Sequence, residues 1–179
     1  EQINDVDQKN IYGYTPLHIA AEKGWLDIVE FILTKTDRIN ERNMNGVTPL
    51  MLAIYHGHVE IAMMLLERIG NVDQSNIYGD TPLHLAAKRG LFGIVKDILA
   101  RSNCIDMPNM DGSTPLTLAL ENEHDEIAEL ILAKMNRRGQ TNACRNTLPR
   151  FATGKPPFCN IEALLRPKPR ISICQIRRT

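Results

Sequence analysis

One tripeptide, Thr-Pro-Leu, recurs at a single fixed spacing, and that period limits this chain more than any other feature. Thr15-Pro16-Leu17, Thr48-Pro49-Leu50, Thr81-Pro82-Leu83 and Thr114-Pro115-Leu116 stand 33 residues apart. A glycine lies two residues ahead of each threonine, at Gly13, Gly46, Gly79 and Gly112, and Gly24, Gly57 and Gly90 follow the first three copies. Self-similarity at a period of this size marks architectures in which each copy is one supersecondary unit and neighbouring units share a core.

Each copy reads physically from left to right. Asn-x-x-Gly, as in Asn10 to Gly13, is a turn signal, the glycine supplying backbone angles that other residues resist. Threonine then caps a helix and proline takes its first position, where a missing N–H costs nothing. A short helix with small residues comes next, Leu17-His18-Ile19-Ala20-Ala21 in the first copy, ending at the next glycine. A second helix carries apolar pairs one turn apart, such as Ile28-Val29 with Ile32-Leu33 and Ile94-Val95 with Ile98-Leu99. Asp37, Gly70, Asn103 and Asn136 stand at matched positions beyond it. All tolerate a left-handed residue, so the second helix is expected to end there.

The pattern resembles the ankyrin repeat family: a turn, two antiparallel helices, and a loop to the next turn. The resemblance rests on the Thr-Pro-Leu-His stretch and the 33-residue period, and covers roughly residues 4–138. It implies that the histidine of that stretch ties helix to neighbouring loop. His18 and His84 match, whereas Met51 and Thr117 replace it, so copies two and four are expected to be less firmly tied. Glu123 stands where copy four should have its helix-ending glycine.

The expected architecture is all-α, an ankyrin-repeat solenoid of four stacked helix-turn-helix units with a poorly structured C-terminal tail. The units span 7–39, 40–72, 73–105 and 106–138, the last an atypical cap. Residues 1–6 read as the remnant of a preceding repeat, because residues 3–6 match the end of a copy and residue 1 is not Met; the chain is expected to be cut from a longer array. A finer period lies inside: Val6-Asp7-Gln8 and Asn10-Ile11-Tyr12-Gly13 return 66 residues later as Val72-Asp73-Gln74 and Asn76-Ile77-Tyr78-Gly79. A two-copy unit is therefore read as duplicated.

Charge separates the array from the segment behind it. Residues 1–136 hold 11 basic and 20 acidic side chains, whereas 137–179 hold 10 and 1, so a net charge of zero conceals −9 beside +9. The 139–179 segment carries five of the ten prolines and no useful period, and its main reading is a disordered, solvated tail. Two sharper readings stand beside it. The tail docks on the acids of copy four (Glu121, Glu123, Asp125, Glu126 and Glu129), or Arg166 to Arg170 with Arg177-Arg178 bind an anionic surface or act as an import signal.

Enzymatic chemistry finds no foothold. Phosphate loops, close cysteine pairs and His-Glu-x-x-His stretches are missing from the sequence. Cys144, Cys159 and Cys174 lie 15 apart, too far for the close pairs that zinc prefers. Tandem thin units also offer no deep pocket. No enzyme, metal or cofactor is expected. Apolar runs such as Ile61 to Leu66 fall far short of the ~20 residues a membrane span needs. Four cysteines and no apolar leader favour a reducing, intracellular, cytoplasmic setting.

The resemblance implies a protein-binding module, a segment of a larger scaffold or adaptor, with partner contacts flanking the turn glycine and at the end of the first helix on a concave side. In copy one these positions hold Ile11, Tyr12, Tyr14 and Lys23; in copy two Arg42, Met44, Asn45, Tyr55 and His56. Copy three offers Ile77, Tyr78, Asp80, Lys88 and Arg89, and copy four Met110 and Asp111. All four tyrosines of the chain fall in this set. The competing reading has the tip isoleucines packing sideways on the next tip, and Trp25 is expected to pack at an inter-helix turn. Two other functions remain open: the adaptor arm of a ubiquitin ligase, from a faint likeness of residues 169–178 to the start of a SOCS box, and nucleic-acid binding through the tail. The −9 array disfavours direct contact with nucleic acid.

Overall fold

The computed structural model of the chain describes residues 6–137. Every expectation for residues 1–5 and for the tail (its disorder, its docking on copy four, its anionic or ligase partners) lies outside the described residues. Among the described residues the secondary structure is eight helices and no strand: α1 Pro16–Lys23, α2 Leu26–Leu33, α3 Pro49–His56, α4 Val59–Arg68, α5 Pro82–Arg89, α6 Phe92–Arg101, α7 Pro115–Glu121 and α8 Asp125–Arg137. None is long and apolar enough to cross a membrane.

Starts are written in the Thr-Pro pairs. Thr15, Thr48, Thr81 and Thr114 are extended N-caps with proline in the first turn behind each. In copy one the Thr15 N–H donates to His18 Nδ1 at 3.1 Å, and the His18 N–H donates back to Thr15 Oγ1 at 3.4 Å. Thr117 does the same local work in copy four, accepting the Thr114 N–H at 2.8 Å on its hydroxyl. Met51 has no side-chain acceptor to offer, so in copy two only its own N–H meets the Thr48 hydroxyl, at 3.3 Å. Replacing histidine therefore weakens copy two locally more than copy four, which refines the expectation for the pair.

Stops divide into two kinds. The first helices end on left-handed glycines, with φ of 74° at Gly24, 79° at Gly57 and 73° at Gly90. Glu123 holds φ 62° at the fourth such turn, the one non-glycine residue in this region among the described residues. The second helices behave differently from expectation. α2, α4 and α6 end at Leu33, Arg68 and Arg101, ahead of the anticipated Asp37, Gly70 and Asn103, and α8 runs through Asn136 to Arg137. No left-handed residue closes them. Ile69 (φ −85°, ψ 127°) and Ser102 (φ −67°, ψ 140°) turn the chain straight into extended backbone while still donating to the carbonyl four residues back. A chain that must travel on to the next tip gains nothing from reversing.

The first helices α1, α3, α5 and α7 pack each on the next, the second helices do likewise, and each hairpin closes on itself. Alanines at the contact (Ala20, Ala21, Ala53, Ala86, Ala87 and Ala119) let the first helices approach closely, all at 1% exposure or less. Ile61, Ile94 and Ile127 repeat one buried site on the second helices. Each full burial of such a side chain contributes on the order of 1.5–3 kcal/mol. Cys104, half buried in the loop beyond α6, is disulfide-bonded, a departure from the thiols that a reducing setting favours.

Candidate functional site

The tips between copies are built around one asparagine each. Asn10 accepts the Gly13 N–H on its backbone oxygen at 2.9 Å and donates its own N–H to Tyr14 O at 2.9 Å. Its side-chain Oδ1 then takes two further N–H groups, from Tyr12 at 2.9 Å and Tyr14 at 3.0 Å. Asn43, Asn76 and Asn109 repeat the arrangement, each Oδ1 accepting two backbone donors at 2.9–3.1 Å. One amide oxygen thus satisfies donors that a solvent-facing loop would otherwise leave to water. The sequence marked these asparagines as turn signals only; their identical place in four copies was the available clue to this larger role.

Neighbouring tips are joined to one another through backbone alone. Met44 N–H donates to Tyr12 O at 3.1 Å, Ile77 N–H to Asn45 O at 3.0 Å, and Met110 N–H to Tyr78 O at 2.8 Å. Side chains at these linked positions consequently point away from the joint. Ile11 is 78% exposed, Met44 72%, Met110 67% and Ile77 45%, and beside them Tyr12 and Tyr78 are exposed. Lateral packing covers these residues incompletely, least of all at Ile11. The result is a row of large apolar groups, one per copy, flanked by two phenols.

At the far end of the first helices lies a second group. Tyr55 is exposed, with the Arg89 guanidinium of the next copy over its ring at 5.8 Å and His56 edge-on to it at 5.2 Å. A cation held over a phenol ring is worth roughly 0.5–1 kcal/mol at an exposed site. The adjacent Lys88 is exposed, and neither it nor Arg89 lies within ion-pair distance of a carboxylate among the described residues.

Other members of the anticipated set are committed elsewhere. Tyr14 is half buried and tilted against His18, 5.5 Å between ring centres. The Arg42 guanidinium donates to Gly46 O and Ser75 O, bridging two copies. Lys23 pairs with Glu22 at 3.2 Å, and Asp80 Oδ1 accepts from Asn109 Nδ2 at 2.8 Å. Asn45 and Asp111 are exposed at the tips, and His56 is exposed and stacked at 6.2 Å on His58. Trp25 occupies the turn into α2 with half its surface exposed.

Sequence reasoning missed the second role of His58 and His124. The His58 ring lies over Gly24, where a Cβ would stand 2.5 Å from it, and Nε2 meets Glu22 O at 3.1 Å. His124 covers Gly90 in the same way, at 2.6 Å. Each glycine is thus required twice, for its left-handed backbone and for the ring above it. The two are 66 residues apart, so the duplicated two-copy unit pointed to them.

Buried polar groups tie the copies together beneath this surface. His18 Nε2 donates to Val47 O at 3.1 Å while Nδ1 accepts from Thr15, a network that assigns the proton to Nε2. Burial holds the His18 imidazole below the usual histidine range, outweighing the Val47 contact, and burial does the same at His84. At the surface, the Lys9 ammonium hydrogen-bonded to Glu41 at 2.7 Å holds that carboxyl below its ordinary value. Among the described residues no cluster of three His, Cys, Asp or Glu side chains is arranged to hold a metal ion. The surface depressions at Gly24–Ile28 and at Gly24–Ile61 are wide open.

A family model described as ankyrin repeats, in three copies, matches residues 2–76 and again residues 68–142. No curated protein matches the chain.

Proposed function

The chain belongs to the ankyrin repeat family, whose members are generic protein–protein interaction modules and typically not enzymes, and from that premise we propose that it grips a protein partner along its tips and first-helix ends. In this reading the chain serves as a scaffold or adaptor segment inside the cell. The observation that carries it is the tip row: Ile11, Met44, Ile77 and Met110 exposed in register, with Tyr12 and Tyr78 beside alternate members, on backbone joints that fix their spacing.

Apolar groups held in water at fixed intervals cost the free protein solvation and gain it nothing unless something covers them. Fixed spacing also means that binding orders only the partner, which is where rigid presentation adds affinity. The tyrosines of copies one and three stand two helix-pair widths apart, roughly 16–20 Å from interaxial distances. A partner segment would lay apolar side chains on the tips and bring a carboxylate toward Lys88 and Arg89, whose charges lack local partners.

The experiment is a double substitution, Tyr12→Ala with Tyr78→Ala, read by quantitative affinity capture and by thermal melting in parallel. Both rings are exposed, so the melting midpoint should stay within a few degrees. Interface phenols at good positions lose about 2 kcal/mol or more on truncation, so captured partners should fall by tenfold or more. Retention of every partner by the double variant refutes the reading, as does a collapse of the melting midpoint that makes the rings structural.

A further inference from the structure

One face of the stack has no neighbour on it. The 33-residue period lets each residue of copy one be compared with its equivalents, which do have a helix pair on that side. Ile28 is 44% exposed, while Ile61, Ile94 and Ile127 at the same position are at 0–2%. Ile19 is 39% exposed against 9% for Leu52 and Leu118. Trp25 and Phe31 are half exposed, and their equivalents His58, Leu91 and His124, and Met64, Asp97 and Leu130, all fall to the intermediate class. Four large apolar side chains on α1, α2 and the turn between them thus form one open patch.

Polar groups at this face repeat the same comparison. Arg68 donates to Leu33 O at 2.8 Å and Arg101 to Leu66 O, so each reaches back to the last turn of the second helix in the copy before it. Lys35 is the equivalent residue of copy one, and its ammonium instead lies over the Phe31 ring at 5.6 Å. Met44, Ile77 and Met110 give their N–H groups to the preceding tip; Ile11 has no such acceptor among the described residues. His58 and His124 cover the glycine of the copy before, and Trp25 holds that position with nothing described beneath it.

We propose that this end face is a docking surface for one additional helix pair of the same repeat type, seated ahead of copy one. The occupant is specified by what the face lacks. It must offer alanine-sized side chains to Ile19, a left-handed glycine turn under Trp25, a carbonyl at its second-helix end for Lys35, and a tip carbonyl for the Ile11 N–H. The interface is continuous with the three already formed, and its apolar area is of the type they bury.

A graft tests it directly, because Val6-Asp7-Gln8 repeats Val72-Asp73-Gln74 and residues 40–71 precede the latter in the chain itself. Joining a copy of residues 40–71 ahead of Val6 recreates the natural junction. The chain has a single tryptophan, which reports on the face. Its emission should move to the blue, its quenching by iodide should fall several-fold, and the melting midpoint should rise by several degrees. Ile28→Glu should change little in the parent chain but abolish the blue shift in the extended one. If the single grafted copy frays, a second graft of residues 7–71, with its own Trp25→Phe, gives that copy a neighbour and decides the case. A folded graft that leaves Trp25 as accessible as before overturns the proposal. So does sedimentation showing that the parent chain pairs with a second copy of itself through a contact that Ile28→Glu dissolves.

Discussion

Copies one and two and copies three and four are two versions of one 66-residue unit, and they leave different polar atoms unpaired. In the first, His18 Nε2 reaches Val47 O while the buried Asn43 Nδ2 finds no partner. In the second, Asn109 Nδ2 reaches Asp80 Oδ1 while the buried Nε2 of His84 finds none. The cause is one side chain. Asp80 supplies an acceptor where copy one has Tyr14, whose ring lies against His18 instead. The apolar core is the same in both halves, so packing sets the fold, and the hydrogen bonds adjust to whatever packing leaves. Neither half is the better version; each satisfies what the other omits.

The sharpest way to break this equivalence is at the turn glycines. Gly24→Ala forces a Cβ into left-handed backbone and into a ring that the Glu22 carbonyl holds in place, for about 3 kcal/mol. Gly90→Ala meets the His124 ring, for which no holding hydrogen bond is seen, and should cost about 2 kcal/mol. Gly57→Ala meets nothing nearer than 3.6 Å and should lose only the backbone term, about 1 kcal/mol. Urea unfolding of the three variants checks the order, and equal losses would dissolve the role given to the histidine rings.

Next in size comes the tip asparagine. Asn109→Ala removes an acceptor for two N–H groups together with the Asp80 bond, whereas Asn43→Ala removes the same acceptor and an unpaired buried donor. The first should therefore cost about 1 kcal/mol more than the second in the same unfolding measurement. The reverse order would show that Asp80 contributes nothing across the copies.

The smallest effect is that of pH. Both imidazoles are held below the ordinary value of 6.5, so beneath that pH the unfolded chain takes up protons that the folded one refuses. Stability is unaffected by these groups well above pH 6.5 and declines as pH drops through it, with a slope approaching about two protons. His18→Gln should cut the slope to about one proton, read from denaturation midpoints between pH 7.5 and 5. His84→Gln should cut it equally but lower the stability less, since only His18 bridges to the next loop.

Much of this was legible in the sequence because the period is a covalent fact. The caps at Thr15 and Thr48 and the left-handed stops at Gly24, Gly57 and Gly90 follow from residues whose backbone preferences are local. The second-helix ends at Leu33, Arg68 and Arg101 were misplaced because what terminates them is the next copy's demand on the chain, a tertiary requirement with no residue type of its own. Exposure at Ile11, Tyr12, Met44 and Tyr78 was foreseen because tips face outward in any stack. The commitment of Arg42 to two carbonyls and the Tyr55–Arg89 pairing were not, since both depend on which neighbour lies alongside.

The joints between tips use only main-chain atoms, at Met44 to Tyr12, Ile77 to Asn45 and Met110 to Tyr78. The scaffold is therefore indifferent to what those residues display. Selection can rewrite the outward groups one at a time, trading one ligand preference for another, while the folding equilibrium stays where it was. A lineage of such proteins can diversify its recognition quickly without passing through unfolded ancestors.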